Sequence, residues 1–312
     1  MSDPAPAGAA QAEDLDLLPT EQAVAGLDDL DTRPTADVVG LLLASEARLP
    51  AVLDQARAQL ETAVEIVAAK LADGGRLVYV GAGTAGRIAA LDAIECRPTF
   101  GVDDETVIAL LAGGPDASGV AFEAAEDDGP AGRSAVEELA IGPRDAVVGV
   151  TASGRTPYVI AALETARTRG AATVAVCNNP ASPAAGAAEH SVELLTGSEV
   201  LAGSTRLSAA TAQKIAVNVI STASFVRCGR TYGGWMVGLQ PTNAKLEARA
   251  QRILEEATGM SPEAVATAMA AATTPDVALV MLLTGLTAPE ARGRLDAHHG
   301  HVRLAVQDSP PA

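Results

Sequence analysis

The chain has 312 residues, 48% of them apolar and only 2% aromatic, and a formal net charge of −17. That length carries one large domain or two smaller ones, and the apolar share suffices for a packed core, which excludes global disorder. The charge excludes a sequence-independent grip on nucleic acid, which needs clustered Lys and Arg against the phosphates. An anionic small molecule is still accommodated, because backbone N–H groups hold phosphate locally.

Cys96, Cys177 and Cys228 lie far apart, with no Cys-x-x-Cys and no Cys/His pair. Neither a zinc site nor a disulfide framework is expected, and a reducing cytoplasm is the plain reading. Residues 1–16 read as a disordered arm without the basic and apolar regions of a secretory signal. No uncharged apolar run reaches the about 18 residues of a membrane span, so no membrane partner is expected.

In chain order, residues 17–62 read as an N-terminal helical segment, with helices starting at Thr35 and running from about Pro50 to Leu71. Between 63 and 230 the texture alternates between short apolar strands and helices. Strands are expected at Arg76–Val80, Val107–Leu111, Ala146–Val150, Thr173–Cys177 and Val192–Leu195, with a long helix at about Leu207–Val226. Such alternation predicts an α/β fold, a parallel five-stranded sheet with helices on both faces. After Arg230 the strand signal stops. Residues 231–258 read as a linker helix region, 259–303 as a small helical C-terminal domain, and 304–312 as a tail.

Gly81-Ala-Gly-Thr-Ala-Gly86 sits between a strand and a helix and matches G-x-G-x-x-G. Dinucleotide binding would also need an acid at the end of the second strand. That strand runs instead into Leu111-Ala-Gly-Gly114, with no acid before Asp116. A tight packing turn is the other plain reading. Two further loops, Thr151-Ala-Ser-Gly-Arg-Thr156 and Thr196 to Thr205, also follow strands and open helices. In an open parallel sheet such loops gather at the carboxyl ends of the strands. Their hydroxyls and helix N-termini form a phosphate cradle that needs little positive charge. Gly83, Thr84, Ala85, Ser153, Gly154, Arg155, Thr156, Ser204 and Thr205 are the candidate binding residues. Arg155 reads equally as an anion partner or as a solvated surface residue.

Two carboxylates draw notice. Glu95 falls near the end of a helix that Pro98 is expected to stop, where the helix dipole favours a protonated acid. Glu126 belongs to an acidic cluster, Glu123 to Asp128, in which i, i+3 neighbours raise one another's affinity for a proton. On pattern alone, a solvated helix face explains either.

The ordered set Gly81-Ala-Gly-Thr-Ala-Gly-Arg87, Asp92-Ala-Ile-Glu-Cys-Arg-Pro-Thr99, Ala124-Ala-Glu-Asp127, Ala152-Ser-Gly-Arg-Thr-Pro-Tyr158, Gly203-Ser-Thr-Arg206, Thr211-Ala-Gln-Lys214 and Thr242-Asn-Ala-Lys-Leu246 resembles the N-acetylmuramic acid 6-phosphate etherases. The likeness runs from about Leu18 to Arg303, and the family's relatives include the glucokinase regulatory protein. The resemblance implies a sugar isomerase (SIS) fold, a ubiquitin-associated-like C-terminal domain and a cytoplasmic homodimer with sites at the subunit interface. It implies a phosphorylated amino sugar as ligand, with no metal and no organic cofactor. It places the family's two catalytic glutamates on Glu95 and Glu126. The implied reaction is elimination of the D-lactyl ether of N-acetylmuramate 6-phosphate followed by hydration. A sugar-phosphate sensor without turnover and an aldose–ketose isomerase are the alternatives on the same fold. The chain departs from the family's pattern at Ala85, Ile94, Arg97, Ser208, Ala210 and Gly238.

Overall fold

The computed structural model describes residues 17–114, 123–241 and 243–308. The arm expected at 1–16, the last residues of the expected tail and Thr242 lie outside them. Helices α1 (Thr35–Glu46), α2 (Leu49–Gln55) and α3 (Arg57–Ala72) lead into the sheet. Then come β1 (Leu77–Gly81), α4 (Gly83–Phe100), β2 (Val107–Leu111), α5 (Gly129–Glu138), β3 (Ala146–Thr151), α6 (Pro157–Thr168), β4 (Ala172–Cys177), the short α7 (Pro183–Ala187), β5 (His190–Glu193) and α8 (Ser208–Arg227). The expected helix over 50–71 is two helices, divided at the buried Ala56.

All five strands are parallel, in the order β2-β1-β3-β4-β5. Their alternation divides the core into two layers. Leu77, Tyr79, Val148, Val150, Val174 and Val176 face α3, α4 and α8 on one side. Val78, Val80, Val147, Ala175 and Cys177 face α5, α6 and α7 on the other. A sheet covered on both faces is why its strands read as nearly continuous apolar runs.

The strand order reverses around β1. The connection out of β1 packs on one face and that out of β3 on the other, although the two strands are neighbours, with Gly81 beside Val150. A crevice therefore opens between the loops that follow them, the place where such sheets bind ligands.

Pro98 does not end α4. The helix runs on to Phe100 and closes at Gly101 in the left-handed conformation, φ 66°. Pro98 forfeits the backbone bond to the Ile94 carbonyl, and one residue on the Thr99 hydroxyl donates to Glu95 O at 2.7 Å. Phe100 stacks on Phe225 of α8 with centroids 4.5 Å apart, so packing holds the final turn.

The C-terminal region folds as α9 (Ala244–Thr258), α10 (Pro262–Ala271), α11 (Pro275–Thr284), α12 (Ala288–Ala297) and α13 (Val302–Gln307). Leu254, Val265, Leu279 and Leu295 form its core. α13 lies over the start of the stretch read as a tail: Val302 and Ala305 are buried in that core, in a run too short to show a period.

Candidate active site

The turn from β1 into α4 is built from two glycines. A Cβ on Gly81 would stand 2.6 Å from Gly86 Cα, and one on Gly86 would stand 2.8 Å from the Gly81 carbonyl. No side chain fits at either position, so the helix N-terminus is drawn close to the strand end. Gly83 is exposed and Thr84 half-buried at the crevice. Ala85 turns its methyl into the core between sheet and α4, so only its backbone N–H remains for a ligand.

The second loop is braced internally. Thr151 Oγ1 and Thr156 Oγ1 lie 2.8 Å apart, and Gly154 N donates to Thr151 Oγ1. Gly154 has φ +70°, and a Cβ there would meet Ser182 at 2.2 Å. The Thr156 hydroxyl thus serves the turn itself. Ser153 is half-buried, and its Oγ accepts from Arg155 N at 3.1 Å.

The third loop differs from expectation. Glu199 is fully buried, and its two carboxylate oxygens accept from Ser208 N at 3.1 Å and Ala209 N at 2.9 Å. The positive end of α8 is therefore occupied by the chain's own carboxylate. Ser204 and Thr205 stand half-buried before it. Ser208 Oγ lies 2.6 Å from Ser45 Oγ of α1.

Glu126 is exposed on a single 3₁₀ turn, Glu123–Asp127, that packs against α6. It shares the side of the sheet that carries the 151–156 loop. Glu95 is exposed on α4, more than a turn before the helix ends. Glu95 therefore lies outside the reach of the helix's negative end, whose effect fades beyond the last turn. Sequence reasoning gave no role to Asp92, one turn before Glu95 and only 4% exposed. It accepts hydrogen bonds from Tyr79 Oη, Asn218 Nδ2 and Ser221 Oγ. Burial pushes its carboxyl above the usual range, against the pull of those three donors. The same burial, with Asp92 beside it, pushes the Cys96 thiol to about 12. The i, i+3 spacing of Asp92 and Glu95 was the signal available; Asn218 left none.

Among the departures from the family's pattern, Arg97 pairs with Asp104 at 2.5 Å, and Ile94 is 70% exposed. A side chain at Gly238 would meet the Phe100 carbonyl at 2.4 Å, so the backbone as it stands there admits only glycine. Among the described residues, no group of three His, Cys, Asp or Glu side chains converges as a metal site. No helix among them is long and apolar enough to cross a membrane.

The doubly wound sheet, with glycine- and hydroxyl-bearing loops at its switch point, is of the SIS type of α/β proteins, as two family models show. The model for the glucokinase regulatory protein N-terminal SIS domain matches residues 59–167, and that for the SIS domain matches residues 131–223. A phosphoheptose isomerase of Francisella tularensis is similar over 62% of this chain and 98% of that one, with 12% identity and a TM-score of 0.47. The N-acetylmuramic acid 6-phosphate etherase of Rubrobacter xylanophilus is 48% identical over 295 residues, 94% of this chain and 97% of that protein. That of Streptomyces avermitilis is 44% identical over 302 residues, 96% of each. The chain belongs to the N-acetylmuramic acid 6-phosphate etherase family.

Proposed function

We propose that the chain cleaves the D-lactyl ether of N-acetylmuramate 6-phosphate, giving N-acetylglucosamine 6-phosphate and D-lactate. It is a carbon–oxygen lyase of amino-sugar metabolism. Its chain-long kinship with the etherases carries this reading. The three thiols are free, which supports a reducing cytoplasm as its compartment.

The ether oxygen at C3 is a poor leaving group. In the open-chain sugar the C1 aldehyde acidifies the C2 proton. Glu126 removes that proton, and the electron pair forms the C2–C3 double bond as the C3–O bond breaks. Glu95 gives its proton to the departing lactate oxygen. Water then adds: Glu95 takes its proton as the oxygen bonds C3, and Glu126 returns a proton to C2. Each carboxyl thus ends as it began. The loops at 83–86 and 151–156 bind the phosphate.

The active unit is a homodimer whose sites draw on both chains. Unbroken α4 supports this, because it separates Glu95 from its own phosphate loop. Leu91 and Ile94, 51% and 70% exposed, flank Glu95 with apolar surface that a second copy covers. A cleft of about 390 Å³ between α2, α3 and α8, including Leu53, Val64 and Val219, offers a further face for such a contact.

Incubation with N-acetylmuramate 6-phosphate, assayed for D-lactate, tests the reaction. Release of lactate with an unaltered sugar phosphate skeleton is expected. Binding without release would make the chain a sensor, and a ketose product would make it an isomerase.

A further inference from the structure

Beside Glu95, a cavity of about 260 Å³ opens between α4, α8 and the segment around Trp235. Asp92 and Glu95 line it from α4, Asn218 and Ser221 from α8, and Trp235 and Met236 from the far side. No Lys, Arg or His is among the described residues of its wall. Asp92 is held as an acceptor by its donors, and with no cation lining the cavity its charge disfavours the phosphate or a carboxylate there.

Hydrogen-bond direction narrows the choice. Asp92 is bound by three donors: Tyr79 Oη at 2.8 Å, Asn218 Nδ2 at 2.5 Å and Ser221 Oγ at 3.1 Å. A carboxylate only accepts, so it fixes the amino end of the Asn218 amide toward itself. Asn218 Oδ1 is left as an acceptor, and no described residue donates to it. The group that fits therefore brings a donor, and it brings apolar surface for Trp235 and Met236.

We propose that this cavity is the subsite for the acetamido group of the sugar, with Asn218 Oδ1 accepting the amide N–H and the indole of Trp235 flanking the methyl. The assignment rests on the etherase reading. Of the substrate's three large substituents, phosphate and lactyl carry negative charge, and only the acetamido group is neutral. A hydroxyl would satisfy Asn218 but leave the apolar wall bare. The geometry agrees with the chemistry: the acetamido group is on C2, next to the C3–O bond assigned to Glu95, and the cavity is next to Glu95. Asp92 is a positioning residue, acting through Asn218.

Calorimetric titration with N-acetylglucosamine 6-phosphate and with glucose 6-phosphate tests this without turnover, since neither carries the ether. The parent should prefer the acetamido sugar at least tenfold. Asn218→Ala should cut the preference below threefold while leaving glucose 6-phosphate affinity unchanged. Asp92→Asn, which frees the Asn218 amide to turn, should lower the preference likewise at unchanged glucose 6-phosphate affinity. Trp235→Ala provides an independent arm should either polar variant fail to fold. A preference that survives in the folded variants would overturn the subsite, as would an equal loss for both sugars. A parent that releases D-lactate yet shows no preference overturns the subsite alone; one that binds neither sugar and releases no lactate overturns the etherase reading with it.

Discussion

Thr84 and Glu95 stand on one unbroken helix, eleven residues apart. At about 1.5 Å of rise per residue this is about 16 Å along the axis. A single hexose phosphate held at the helix start does not bring its C3 oxygen to the Glu95 carboxyl of the same chain. Mixing a Glu95→Gln chain with a Ser153→Ala, Arg155→Ala chain should therefore restore activity. Random reassortment leaves one intact site in each mixed dimer, so recovery should approach roughly a quarter of the parent's rate. Absence of recovery, with subunit exchange confirmed by native mass measurement, would place a complete site within each chain.

The two glutamates separate by readout. Glu126→Gln should stop exchange of the C2 proton with solvent deuterium and stop lactate release. Glu95→Gln should lower lactate release by two orders of magnitude or more, in the range of a lost general acid, while C2 exchange continues. If Glu126→Gln exchanges at the parent's rate, the assignments are reversed.

Glu199 holds the first turn of α8 by both oxygens. Glu199→Ala leaves two buried N–H donors without a partner, each costing about 1–3 kcal/mol. Urea midpoints should fall accordingly, and hydrogen exchange at Ser208 and Ala209 should accelerate ahead of global unfolding. A change of less than about 0.5 kcal/mol, the usual scatter of surface substitutions, would mean that water replaces the carboxylate there.

Asp145 is 7% exposed and grips Arg76 with both oxygens, at 2.9 and 2.8 Å. Burial raises its pKa, but the Arg76 hydrogen bonds and the Gly142 N–H outweigh that, and the carboxyl titrates below its ordinary 3.8. Its stabilisation is thus fully present above that value and is lost as pH falls through the folded pKa. Asp145→Asn should lower Tm at pH 7, at a cost of about 1–3 kcal/mol with Arg76 partly solvated. The gap between parent and variant should narrow toward pH 3. A constant gap from pH 7 to pH 3 would rule out the ionised form as its source.

The sheet was legible because burial on both faces writes strands as apolar runs, as at Leu77–Gly81 and Ala146–Thr151. The candidate glutamates were legible by resemblance more than by pattern. Two features were not. The end of α4 depends on Phe100 meeting Phe225, a contact 125 positions apart that no local rule at Pro98 contains. The loop before α8 reads as an open anion site because nothing in its spacing shows that Glu199 folds back onto the helix start. Ala85 belongs with these: its place in the glycine turn marks it for the ligand, while its methyl belongs to the core.

The end of the chain returns to its middle. Val302 N donates to Gly229 O at 3.0 Å, just after α8, and Arg303 lies over the Tyr232 ring, 4.6 Å from its centroid. Domains assemble from the N-terminus as a chain is synthesised. The sheet and its helices are complete in sequence by Arg227, but this seam has to wait for α13 to leave the ribosome. The seam therefore closes only after the sequence of the sheet domain has been made, and a polypeptide stalled before Val302 would lack both of these contacts.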